Sequence, residues 1–72
     1  MNDVDAEVVI AMAACSLNVS NVSKVCHMHR NSVEYRLRRI EHLTGKDPKT
    51  FYGITDLLPL AMEELDKSEE IK

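Results

Sequence analysis

The residues from His29 to Gly45, HRNSVEYRLRRIEHLTG, constrain this chain most, because they lay an apolar stripe and a polar, basic face along one helix between two capping residues. With Val33 as reference and about 100° of rotation per residue, Leu37, Ile40 and Thr44 fall on the same side, while Asn31, Glu34, Tyr35, Arg38 and His42 point away. One side packs against a core, and the other is free to meet a partner. His29 is placed to cap the helix, which is expected to run to Leu43 or Thr44 and to stop at Gly45 in the left-handed conformation.

Upstream, Asn18 or Ser20 offers a cap for a short helix in which Val19, Val22, Ser23 and Cys26 recur at i, i+3, i+4 and i+7. Ser23, being small, suits a close crossing with the following helix. Between the two lies His27-Met28-His29, with Met28 as an apolar plug and His27 at the sharp position that takes positive φ. Helix, three-residue turn, helix is a helix-turn-helix, spanning about 18–44.

Before it, Asp3 or Asp5 can cap a first helix reaching about Leu17. Its apolar residues form two stripes, Ala6, Val9, Ile10, Ala13 and Leu17 on one side and Val8, Ala11, Met12 and Cys15 on the other. Such a helix is either sandwiched inside the subunit or shared with a second one. After Gly45, Asp47-Pro48 opens a short helical segment ended by Gly53, and Thr55 caps a last helix carrying Leu57, Leu60, Ala61 and Leu65, with Pro59 tolerated near its start. The expected core is Val22, Cys26, Met28, Val33, Leu37, Ile40, Phe51, Leu57, Leu60 and Leu65. No strand alternation or repeat is visible, so the fold class is all-α, one small helix-turn-helix domain of four to five helices over 1–66, with 67–72 a frayed acidic tail.

The net charge of −3 hides a segregation along the chain. Residues 24–46 hold six Lys and Arg against two acids, whereas the segments before and after are acidic. A local basic patch, rather than the overall balance, sets attraction to phosphate. The longest apolar run, Val8 to Cys15, is far too short for a bilayer span. Met12-Ala13-Ala14-Cys15 faintly resembles a lipoprotein cleavage box, but Asp3, Asp5 and Glu7 stand where a secretory signal needs positive charge. Two cysteines in helical surroundings suit buried thiols in a reducing compartment, and a cytoplasmic location is expected.

Several of these residues stand in a known arrangement. His29-Arg30-Asn31-Ser32-Val33, Tyr35-Arg36-Leu37, Arg39-Ile40-Glu41, Leu43-Thr44-Gly45 and then Leu60-Ala61 resemble the C-terminal helix-turn-helix domain of PucR-type and sugar-diacid (CdaR-type) bacterial regulators, over about Asn18 to Leu65. Ser23 and Cys26 depart from the Ala and Leu usual in that family. The resemblance implies sequence-specific binding of double-stranded DNA by a transcription regulator, as a homodimer, with Arg30, Asn31, Ser32, Tyr35 and Arg36 the matched positions on the reading helix. The long sensory regions of such regulators have no counterpart among these residues, so effector sensing is not carried over.

The residues themselves support a contact role. Arg30 and Asn31 lie in the first helical turn, where free N–H groups and the positive dipole end attract phosphate, and Arg and Asn side chains fit guanine and adenine edges. Tyr35 and Arg38 lie further along the same face. Arg36 and Arg39 flank it, where phosphate contact competes with salt bridges to Glu41 or to the acidic last helix. Ser20, Lys24 and Lys46 are further phosphate candidates. Cys26, His27, His29 and His42 lack the geometry of a metal site, no catalytic constellation is present, and neither cofactor nor small-molecule ligand is expected. The rival reading is a helical dimerisation or protein-interaction module without DNA binding.

Overall fold

A computed structural model describes the chain from residue 1 to residue 70. It contains four helices, α1 (Asp3–Ala14), α2 (Val19–Val25), α3 (Arg30–Thr44) and α4 (Phe51–Glu70), and no strand among the described residues. α1 is the centre of the packing. It lies against each of the other three helices, and the backbones of α3 and α4 do not approach each other directly. Both apolar stripes of α1 are used inside one subunit, with Ala6, Val8, Val9, Ala11 and Met12 buried. They meet Val22 of α2, Val33, Leu37 and Ile40 of α3, and Ile54, Leu57 and Ala61 of α4 in one core.

Asn2, rather than Asp3 or Asp5, caps α1, in a reciprocal box where the Asn2 side chain accepts from the Asp5 amide (2.9 Å) and the Asp5 carboxylate accepts from the Asn2 amide (3.3 Å). Such a pairing satisfies two amides that the first helical turn would otherwise leave without partners. α1 ends at Ala14, three residues before the expected Leu17, although no Gly or Pro intervenes. Ser16 and Leu17 adopt positive φ (53° and 67°), the Leu17 amide donates to the Met12 carbonyl (2.8 Å), and Ser16 donates to Ala13 (3.4 Å). This is the Schellman closure, here with serine where glycine is usual. Leu17 folds back onto the core, and that contact stabilises the turn.

The same device closes α2. His27 has φ 54°, its amide donates to Lys24 (3.3 Å), and the Met28 amide donates to Ser23 (2.9 Å), while Met28 packs against the core. Cys15-Ser16-Leu17-Asn18 and Cys26-His27-Met28-His29 thus follow one order, last cap, left-handed residue, apolar plug, cap of the next helix, and differ in that Leu17 is itself left-handed while Met28 is not. A non-glycine residue with left-handed backbone costs on the order of 1 kcal/mol. Ser16→Gly is therefore expected to raise unfolding stability by about 0.5–1 kcal/mol, read from urea melts; an unchanged or lowered midpoint would show that the turn is unstrained.

Three expectations about the C-terminal half are corrected. Residues 48–50 form a turn rather than a helix, and α4 runs unbroken through Gly53 and Pro59. The Gly53 amide donates to the Thr50 hydroxyl (3.0 Å), so Thr50 performs the capping expected of Thr55, whose own hydroxyl donates back to the Phe51 carbonyl (2.9 Å). Phe51 and Leu60, expected in the core, are 72% and 49% exposed. At about 100° of rotation per residue the continuous helix sets them on opposite flanks of the stripe made by Ile54, Leu57 and Ala61, Phe51 beside Ile54 on the wall of an open groove. Its backbone is helical to Glu70, and of the tail expected over 67–72, residues 71 and 72 lie outside the described residues.

Candidate nucleic-acid interface

α3 is amphipathic in the manner its sequence requires. Val33, Leu37 and Ile40 are buried, while Asn31, Tyr35, Arg38 and His42 are exposed on the opposite side, Tyr35 at 57%. The helix is fixed at both ends. The His29 imidazole accepts from the Asn31 amide through Nδ1 (3.0 Å), and Gly45 closes the other end at φ 74° with its amide on the Glu41 carbonyl (2.8 Å).

Arg30, Asn31 and Ser32 stand exposed in the first turn, where the amides of Asn31, Ser32 and Val33 are taken up by His29 and the side chains are what faces solvent. Arg38 is also exposed. Ser20 and Lys24 are exposed on α2, so the structure brings solvent access to both helices of the motif. Ser23 is half-buried, its hydroxyl donating to the Ser20 carbonyl (2.7 Å).

Arg36 and Arg39 have a partner that sequence reasoning missed. Their expected competitors were Glu41 and the last helix. Instead Asp5 of α1 takes both: Arg36 Nη1 to Oδ1 at 3.1 Å and Arg39 Nε to Oδ2 at 3.3 Å. The carboxylate is fully buried, whereas the two arginine side chains remain 28% and 41% exposed. Burial pushes the Asp5 carboxyl up, but hydrogen bonds from Arg36, the Asn2 amide and Arg39 outweigh it and leave the group below its ordinary value of 3.8. A carboxyl held low in the folded state contributes stability that is complete above the unfolded value and is lost as pH falls through the folded one. Asp5 is therefore expected to contribute to a loss of stability as pH falls below about 4, and Asp5→Asn to make that loss shallower; urea midpoints across pH 2–6 test this, and an equal loss in the variant would assign the acid sensitivity elsewhere.

Glu34, on the edge of the outward face, is met by Lys49 from the turn before α4. The Lys49 ammonium holds its carboxyl below the ordinary range despite some desolvation. This cancels a negative charge beside the basic face. Neither Asp5 nor Lys49 could be paired with α3 from spacing, since they lie 31 or more and 15 residues from their partners. The available hint was the set of acids Asp3, Asp5 and Glu7 at the start of a helix that is otherwise apolar.

Burial raises the Cys26 thiol, with Glu7 and Cys15 acting in the same direction, which disfavours the thiolate a metal would need. Among the described residues no helix is long and apolar enough to cross a membrane.

Two helices joined by a tight turn, the second with its polar face uncovered and both braced by a preceding helix, define a helix-turn-helix domain. The chain belongs to the PucR C-terminal helix-turn-helix domain family, whose model matches residues 6–61. That match takes in α1 from Ala6 onward, which the motif-level resemblance from Asn18 did not reach, and it assigns the chain to a family with a DNA-binding regulator role. No curated protein and no solved structure matches the chain.

Proposed function

We propose that this domain binds double-stranded DNA sequence-specifically as the DNA-binding part of a PucR/CdaR-like transcription regulator, in the cytoplasm, with α3 in the major groove. The observation that carries this reading is the uncovered face of α3, where Asn31, Tyr35 and Arg38 are exposed while the opposite face is buried. Arg30, Asn31 and Ser32 at the helix start approach base edges or the adjacent phosphate, and Tyr35 and Arg38 follow along the groove. Ser20 and Lys24 of α2, with the solvent-facing parts of Arg36 and Arg39, contact the flanking backbone. The domain is no enzyme in this reading and needs no cofactor.

A homodimer fits the same reading. A groove of about 660 Å³ lies between the end of α1 and α4, lined by Leu17, Phe51, Ile54, Leu58 and Met62 among others. None of its lining residues is charged or belongs to α3, so a second copy seated there opposes no like charges and leaves α3 clear. This groove is also what favours the second reading, a helical interaction module without DNA binding.

Selection of duplexes from a random pool decides between them. A palindromic winner with half-sites about one helical turn apart supports the two-fold reader, and recovery of no enriched sequence sinks it. With four to six phosphates neutralised per dimer, log K should fall with log salt at a slope of roughly −4 to −5. Fluorescent duplex titrations at several salt concentrations measure it, and a flat dependence removes the electrostatic mechanism.

A further inference from the structure

The Asp5 carboxylate is fully buried, and besides accepting from the Asn2 amide it holds two arginines of α3. Each arginine donates only one of its five N–H groups to Asp5, through Nη1 in Arg36 and Nε in Arg39. Both side chains keep part of their surface in solvent. Arg36 and Arg39 are three residues apart and therefore neighbours on one flank of α3, the flank adjoining the face that carries Asn31, Tyr35 and Arg38.

We propose that Asp5 is a positioning residue for duplex binding: it fixes Arg36 and Arg39 side by side so that their outer N–H groups form a ready-made clamp for a backbone phosphate beside the groove read by α3. The proposal rests on the DNA-binding reading above. A free arginine loses much rotamer freedom when it is ordered on a phosphate, and one already held by a buried carboxylate loses less. Asp5 itself touches no DNA. The Asn2 box fixes the carboxylate in turn, since the Asn2 amide donates to the same Oδ2 that takes Arg39. The register of α1 is thereby transmitted to the contact flank of α3.

The sign of the effect separates this role from plain electrostatics. Removing a negative charge from a DNA-binding surface should strengthen binding through the longer-range field, whereas loss of a positioning group should weaken it. The probes are the duplex enriched from a random pool by the unmodified domain and a scrambled duplex of equal length. Asp5→Asn, with folding checked by circular dichroism, is expected to weaken binding to the enriched duplex by about tenfold, and to weaken binding to the scrambled one as well, since a phosphate contact is independent of sequence. Unchanged or tighter binding to the enriched duplex would overturn the proposal.

Should Asp5→Asn fail to fold, Arg36→Gln and Arg39→Gln serve instead. Each is expected to reduce the salt slope for the enriched duplex by about 1, and a slope unchanged in both would show that the pair only ties α1 to α3. If the unmodified domain enriches no duplex at all, the DNA-binding reading fails before this proposal is reached, so the two failures are distinguishable.

Discussion

Replacing Arg30 and Arg38 together by glutamate is expected to weaken duplex binding by at least about a hundredfold, while leaving helix content and thermal midpoint nearly unchanged. Both side chains are exposed, and among the described residues no side-chain hydrogen bond or ion pair ties either of them to another residue. The stability terms partly offset one another. A glutamate at position 30 sits in the first turn of α3, where the helix dipole favours it by about 0.3–1 kcal/mol. Against this stand three like-charge pairs, position 30 with Glu34 and position 38 with Glu34 and Glu41, each costing about 0.2–0.5 kcal/mol. Binding isotherms with the enriched duplex, beside sedimentation of the free protein, supply the measurement. Retained binding would transfer the activity to another surface, and retained self-association with lost binding would separate the reading face from the dimer face.

Gly53→Ala should damage the fold more than any surface change. Alanine in place of glycine inside a helix usually stabilises it by about 1 kcal/mol. Here the sign reverses. A Cβ on Gly53 would lie 1.8 Å from the Asp47 carbonyl oxygen, 2.6 Å from its carbon and 2.8 Å from the Thr50 hydroxyl. None of these atoms is the far end of a flexible side chain. The turn they belong to is tied down by the Lys49 backbone amide donating to the Asp47 carboxylate (2.9 Å) and by the Thr50 hydroxyl donating to the Asp47 carbonyl (2.9 Å). Accommodating the methyl group means moving that turn and with it Lys49, which meets Glu34. The expected loss is about 2–4 kcal/mol, a large share of the few kcal/mol that hold a domain of this size. A midpoint lowered by more than about 10 °C in calorimetry fits this; a rise would show that the close approach relaxes freely.

What the chain discloses before folding depends on how local the cause is. Both ends of α3 were legible because His29 and Gly45 act within a turn of their own positions. His27 was legible too, as the left-handed residue of a recognised motif. The end of α1 was not, since Ser16 and Leu17 carry no breaker chemistry. A signal was nonetheless present: the order Cys, polar, apolar, cap at 15–18 repeats at 26–29, and recognising one turn could have revealed the other. Gly53 misled because glycine was taken as a stop, when it is needed for close approach of the Asp47 backbone. That misreading split α4 and sent Phe51 to the wrong face. For the interface, the outward face of α3 follows from periodicity alone, whereas the ties from Asp5 and Lys49 depend on tertiary placement that no spacing encodes.

Because α3 and α4 each lean on α1 and hardly on one another, this domain has no half that keeps a core of its own. Unfolding should accordingly be a single all-or-none event, with backbone amides in α3 and α4 exchanging with solvent through the same global opening. Transplanting only the two motif helices into another scaffold would leave Val33, Leu37 and Ile40 without the surface that covers them.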